Sequence, residues 1–260
     1  MVVTLAMTYV LAVYRRDVDP YFPYISDAGN KKPESCVFGQ LLNIGSFLVV
    51  IIVYLRYRLV KELNRGSDLR LDRVNRIASI FGCLSSFGMT IVGNFQESAV
   101  LVVHLIGAFT CFGTGLVYCI LQSAASYRMC PLYNGVTICR IRLSISLTAL
   151  ASFCTSVITG CLAAAAHHKQ GKQWHDDDPV DLARDFLFIR KDEPGYYLHM
   201  TSAVSEWILA ASFMVFLMTY SKDFEKLRVT VAVEPLVAHL DEMPPRAPDS
   251  EARSLLSVSA

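Results

Sequence analysis

Between Cys36 and Tyr57 the chain reads CVFGQLLNIGSFLVVIIVYLRY, with no charged side chain before Arg56. A helix of roughly 20 consecutive apolar residues is what the hydrocarbon core of a bilayer demands. The inner part, IGSFLVVIIVYL, has no polar face wide enough for an amphipathic helix of a soluble domain. A polar loop, DPYFPYISDAGNKKPES, stands on one side of it, and an arginine-crowded stretch, RYRLVKELNRGSDLRLDRVNR, on the other. A chain built around such a segment is an integral membrane protein, and its function must lie on the two polar faces or inside the bundle.

Composition agrees. Charged residues make up 18% of the 260 residues, against ~25% in soluble domains, and the mean hydropathy is +0.38. The net charge of +1 decides little, because the charges are segregated by loop. The expected fold is an all-α six-transmembrane-helix bundle over 1–220, with both termini cytosolic and a flexible cytosolic tail over 221–260. Spans are expected at about 1–14, 36–57, 77–95, 99–123, 143–166 and 198–220. The first is short: at 1.5 Å per residue it covers about 21 Å of a ~30 Å core. It lacks the basic start and small-residue cleavage site of a signal peptide, and it reads as a first span with a shortened or incomplete start.

Pro20, Pro23, Gly29 and Pro33 exclude a long helix between the first two spans. Tyr21, Phe22 and Tyr24 are the amphipathic aromatics of a membrane interface, and Asp27 and Asn30 flank Gly29 as turn residues. The loop is either a turn lying on the bundle mouth or a binding surface. Orientation follows from Lys and Arg near the span ends. The loops after spans two and four and the start of the tail carry thirteen, against nine on the other side. The first set is therefore placed in the cytosol and the YISDAG loop in the lumen or outside.

Small residues recur every fourth position in three spans. They are Ala78, Gly82, Ser86 and Thr90; Gly107, Cys111, Gly115, Cys119 and Ser123; and Ser144, Thr148, Ser152, Ser156 and Gly160. Such stripes let helix backbones approach where lipid gives no hydrophobic drive. They read as packing within the bundle, with a homodimer face as the alternative. The cysteines in the apolar segments read as packing residues too. Cys130 and Cys139 are assigned to a cytosolic loop, where palmitoylation is an option. No Asn-x-Ser/Thr sequon is present.

Ionisable groups at membrane depth are candidates for function. Glu206 is the deepest; His104, His199, Asp27, Glu97 and Gln96 belong to the lumenal mouth. Glu206 either fixes helix register, protonated or paired, or serves a proton or ion relay. Phosphate-binding loops, G-x-S-x-G and H-E-x-x-H are absent from the sequence. Two histidines at the membrane edge are too few for a membrane zinc hydrolase. His167, His168, His175 and Asp176–Asp178 have no ligand spacing and read as a solvated loop. Catalytic residues, cofactors, metal and nucleic acid are therefore not expected. Near the C-terminus, Glu251 stands four residues before Leu255-Leu256, the spacing of an acidic dileucine peptide that clathrin adaptors bind.

Several stretches resemble one known family. Pro23-Tyr-Ile-Ser-Asp-Ala-Gly29, Pro33-Glu-Ser-Cys-Val-Phe-Gly39 and Asn43 are similar to the first loop and second span of the DNA-damage-regulated autophagy modulators. So are Asn94-Phe-Gln-Glu97, Val102-Val-His104, Leu121-Gln-Ser123, Ser126-Tyr127, Cys139-Arg-Ile-Arg142, Tyr197-Leu-His-Met-Thr-Ser-Ala203 and Glu206-Trp207. The resemblance covers about residues 3–230 in order. It implies a six-span, non-enzymatic protein of the lysosomal membrane, or of Golgi, endoplasmic reticulum or plasma membrane, that promotes autophagy and stress-induced apoptosis. Two departures stand out: the late start of the first span, and the added stretch HHKQGKQWHDDDPVDLARD before span six. The implied partners are the bilayer, a clathrin adaptor and autophagy-related proteins. Arg65, Arg70 and Arg73 offer anionic lipid an attraction worth ~1 kcal/mol each. A solute or ion transporter or channel is the alternative, and a lipid-modifying enzyme fails for want of a ligand set.

Overall fold

The computed structural model describes residues 2–18, 21, 23–168 and 194–230. Six helices of more than one turn follow in order among them: α1 (Val2–Tyr14), α2 (Glu34–Asn64), α3 (Leu69–Asn94), α4 (Leu101–Arg128), α5 (Val136–His168) and α6 (Tyr196–Met218). A 3₁₀ turn over Asp27–Gly29 lies in the first loop, and a single-turn helix α7 (Ser221–Phe224) follows α6. Residues Met1–Lys226 form one compact unit; of the second, Leu227–Ala260, only 227–230 are described, without regular structure. Glu251, Leu255 and Leu256 of the dileucine, and His175 and Asp176–Asp178, lie outside the described residues.

Five helices, α2 to α6, are long and apolar enough to cross a membrane; α1 is a shorter apolar helix. Six spans are expected from the sequence, the first of them short; among the described residues five helices of spanning length are present, and α1 is the short one. At 1.5 Å per residue the 13 residues of α1 reach about 20 Å, well under the ~30 Å hydrocarbon thickness. It is nonetheless packed into the molecule, with Leu5 in a cluster beside Ile25, Phe38, Leu42 and Met89.

The arginine-rich stretch after the second span is also not a loop. Arg56, Arg58 and Lys61 lie on α2, and Arg70, Arg73 and Arg76 on α3. The turn between them is only four residues. Arg65 ends α2 in the left-handed region at φ 45°, and Gly66 follows at φ 77°. Asp68 then caps α3, its carboxylate accepting from the amides of Arg70 (2.8 Å) and Leu71 (3.1 Å). This is a helix stop of the αL type followed directly by an N-cap, and it forces α2 and α3 to run antiparallel side by side.

The most extensive helix pairs are α3 with α4, α5 with α6 and α2 with α3. Small residues set these distances. A Cβ added at Gly88 would stand 2.4 Å from the Cys111 nitrogen and 2.7 Å from the Gly107 carbonyl oxygen, so α3 and α4 touch backbone to backbone. Gly82 lies against Val53 and Tyr118, Gly107 against Ile91, and Gly115 against Ser85 and Phe213, while Ala78 is fully buried. Hydroxyls add cross-helix bonds: Ser86 donates to the Ser46 carbonyl (2.6 Å), Ser85 to Cys111 (2.7 Å) and Ser202 to Ser156 (2.7 Å).

One stripe holds only in part. On α5, Ser144 and Thr148 face outward, whereas Ser152 and Gly160 are buried and Ser156 bonds Ser202. At the Ser144 end the buried residues are Arg142, Ser146 and Ala149 instead. Cys139, expected in a loop, is on α5 and fully buried, with its thiol against the Ser126 carbonyl. Palmitoylation at Cys139 is thus excluded by burial. The outward faces of the bundle carry Phe47, Tyr54, Phe87, Phe109 and Ile158, as lipid contact requires.

Gly88→Ala is expected to destabilise the bundle by about 1–3 kcal/mol through overpacking. Gly113→Ala, where the nearest atom is 3.9 Å away, is expected to be neutral or to gain up to about 1 kcal/mol. Thermal unfolding of the two variants in one detergent checks both.

Candidate functional site

The first loop folds back over one end of the bundle. Its tight turn is built locally: the Tyr24 amide donates to the Asp27 carboxylate (2.9 Å) and the Gly29 amide to the Ser26 carbonyl (2.9 Å). Gly29 is needed because a Cβ there would stand 2.4 Å from the Phe38 ring. The loop is then pinned from three sides. Ser26 donates to Glu97 (2.7 Å), in the α3–α4 turn, and Ser98 donates to Asn30. On α6, the Trp207 indole donates to the Pro23 carbonyl (2.8 Å), and the His199 ring meets Tyr24 edge-on at 4.8 Å. The loop is thus a plug on the bundle mouth.

The five polar candidates come together at this mouth. Asp27, Glu97, His104 and His199 are each under one-tenth exposed. His104 bonds through Nδ1 to the Phe95 carbonyl (2.7 Å), fixing the α3–α4 turn that carries Glu97. Glu206 lies seven residues after His199 on α6, on nearly the same face. One of its carboxyl oxygens is buried without a hydrogen-bond partner, as is one of Asp27. Burial, and next the charge of Glu97, hold the Asp27 carboxyl well above the usual carboxylate range. Burial also raises Glu97, against the opposing pull of His104 and of the Ser26 hydrogen bond. Ser26 is the residue sequence reasoning passed over; its hydroxyl gave no pattern to read.

Behind the plug lies a cavity of about 130 Å³. Ser26, His104 and Glu206 line its polar end; Phe38, Leu42, Met89, Cys111 and Met214 line much of the rest. Gly82 and Gly115 also border it. Among the described residues there is no group of three or more His, Cys, Asp or Glu placed to hold a metal ion.

The opposite end of the bundle holds a second buried polar centre. Arg56 of α2 and Arg142 of α5 are fully buried and share one carboxylate, Asp223 of α7. Arg56 reaches Asp223 at 3.0 Å and Gln122 of α4 at 3.1 Å; Gln122 in turn meets Asn75 of α3 at 3.4 Å. Arg142 also donates to the Ser126 hydroxyl (2.8 Å) and to the hydroxyl and carbonyl of Thr219 (3.0 and 3.1 Å). Both guanidinium groups stack on Tyr220, at 5.0 and 4.8 Å from the ring centroid. Sequence analysis counted both arginines among the loop charges and did not single out Asp223. The structure separates them from Arg58, Arg65, Arg70 and Arg73, which are exposed.

Two predictions follow from the two ends. A carboxyl that holds its proton more tightly folded than unfolded contributes stability that is fully present below the unfolded pKa of ~3.9 and is lost as pH rises through the raised folded value. Asp27→Asn, which keeps an acceptor for the Tyr24 amide, is therefore expected to flatten the fall of stability above about pH 4, by up to about 1.4 kcal/mol per pH unit. Melting temperatures across that range check it, and an unchanged slope would contradict the protonated Asp27. At the other end, Asp223→Asn strands two buried cations and is expected to cost about 3–5 kcal/mol. Adding Arg142→Gln should restore part of the loss in the same unfolding assay, since the two residues share one network.

Comparison with known proteins places the chain. The Frag1/DRAM/Sfk1/Cwh43P N-terminal domain matches residues 1–227. The chain is 34% identical to human DNA damage-regulated autophagy modulator protein 1 over 228 residues, 88% of each chain. It is 35% identical to bovine DNA damage-regulated autophagy modulator protein 2 over 225 residues, 86% of this chain and 80% of the relative. It is 44% identical to the Xenopus laevis modulator of macroautophagy TMEM150B-B over 131 residues, 50% of this chain and 54% of the relative. No solved structure matches the chain. With a family match over nearly the whole membrane bundle, the protein belongs to the Frag1/DRAM/Sfk1/Cwh43 family.

Proposed function

We propose that this protein is a non-enzymatic membrane regulator that promotes autophagy from the lysosomal membrane. One observation carries the reading: relatives that align with 88% of the chain, at 33–34% identity, are named as autophagy modulators. In this reading both termini face the cytosol, and α1 serves as a sixth, tilted span that thins the bilayer locally. The plugged mouth with Asp27 and Glu97 then faces the lumen, and the exposed Arg58, Arg65, Arg70 and Arg73 face the cytosolic leaflet, where anionic lipid attracts them. Glu251 with Leu255 and Leu256 would present the sorting peptide to a clathrin adaptor.

The test joins place and effect. Tagged wild-type protein is expected to coincide with a lysosomal marker, and a Leu255→Ala/Leu256→Ala double variant to move to the plasma membrane. Cells lacking the protein should show reduced autophagic flux, restored by the wild type and only weakly by the displaced variant. Normal flux in the deficient cells would refute the regulatory reading; a lysosomal double variant would refute the dileucine alone.

A further inference from the structure

The cavity behind the plug has a donor and acceptor inventory that selects its occupant. Glu206 lines it with one carboxyl oxygen buried and unpartnered, while the Ile25 backbone amide hydrogen-bonds the carboxyl group. Ser26 lines the same end, but its hydroxyl proton is committed to Glu97, which leaves lone pairs only. His104 lines it too, its Nδ1 donating to the Phe95 carbonyl. The other lining serines have likewise spent their protons: Ser85 on the Cys111 carbonyl and Ser86 on the Ser46 carbonyl. The Ser26 hydroxyl therefore offers lone pairs only, and Glu206 is the lining carboxyl with an oxygen left to meet. Asp27 nearby has an unpartnered buried oxygen of its own.

A ligand that meets the unpartnered Glu206 oxygen must bring a hydrogen-bond donor, and a base can take the carboxyl proton and leave an ion pair in its place. A protonated amine has three donors and the right sign. A carboxylate or phosphate is refused by the same groups. The rest of the wall is apolar, so the ligand must carry an apolar body. Size sets the limit: an engineered apolar cavity of about 150 Å³ takes benzene, and this one is about 130 Å³. That admits one aromatic ring or a short alkyl chain and excludes a two-chain lipid.

We propose that this cavity is a binding site for a small amphipathic amine, with its ammonium on Glu206 and its ring or short chain among Phe38, Leu42, Met89 and Met214. The site stands independently of the autophagy reading, because it rests on the cavity and its polar groups alone.

The experiment uses the full chain in lipid nanodiscs and three probes of one shape: phenethylamine, 2-phenylethanol and 3-phenylpropionate. Binding is read as a saturable rise in melting temperature and by calorimetry. Phenethylamine should bind at least tenfold more tightly than the alcohol, and the acid should not bind. Glu206→Gln should remove the advantage of the amine over the alcohol while leaving alcohol binding unchanged. Ala210→Leu, which fills the cavity from α6, should abolish binding of amine and alcohol alike. Equal binding of amine and acid, an amine affinity untouched by Glu206→Gln, or binding that survives Ala210→Leu would each overturn the proposal. If Glu206→Gln does not fold, the probe series on wild type and the Ala210→Leu protein still decide it.

Discussion

Two arginines and one aspartate, buried together, are what the bundle closes on. Arg56, Arg142 and Asp223 come from three helices, and through Gln122, Ser126, Asn75 and Thr219 the network reaches α3, α4 and the end of α6. A buried charge is costly unless paired, and here two cations meet one carboxylate. The remainder is met in other ways. The Thr219 carbonyl is at the C-terminal end of α6, where the aligned peptide dipoles concentrate negative charge. The Tyr220 ring offers its electron-rich face to both guanidinium groups. No single helix contributes enough to stabilise either arginine, so the centre exists only when the bundle is assembled.

That constraint matters more here than in a soluble protein. Lipid tails are as apolar as leucine, so burying Phe or Ile between helices gains little, and the outward faces carry such residues freely. What distinguishes the assembled bundle is close backbone contact and satisfied polar groups. Gly88 against Cys111 and Gly107 supplies the first, and the Ser46–Ser86, Ser85–Cys111 and Ser156–Ser202 bonds supply the second. The plug over the mouth obeys the same rule. Its backbone and side-chain polar groups are met by Trp207, Glu97 and Ser98, so an irregular loop can sit against the bundle without leaving most of its hydrogen bonds empty.

Sequence alone carried the class of the fold because five runs are apolar over nearly their whole length. It carried the mouth as well: Asp27, Glu97, His104, His199 and Glu206 each stood out as a polar group beside an apolar run, and they converge. Two features escaped it for separate physical reasons. Arg56 and Arg142 look identical to their exposed neighbours, since counting charges near span ends says nothing about which way a helix is rotated. The α5 stripe was read half rightly, because residue size marks Ser152, Ser156 and Gly160 as packable but does not say that Ser144 and Thr148 point outward. The shortness of α1 was legible as well, since its apolar run is about 10 Å too short for the hydrocarbon thickness.

The two polar centres are joined by one helix. Glu206 borders the cavity at the middle of α6, and Thr219 and Asp223 hold the arginines at and just beyond its end. Thirteen residues separate Glu206 from Thr219, about 20 Å along a helix. Over that length Gly115 of α4 lies 3.1 Å from the Phe213 ring by its missing Cβ, and the ring also packs beside Leu116 and Leu209. A helix held so closely cannot slide at one end without moving at the other. Filling the cavity acts on α6 at its middle and stripping Asp223 acts just beyond its end, so both polar centres are anchored on one helix.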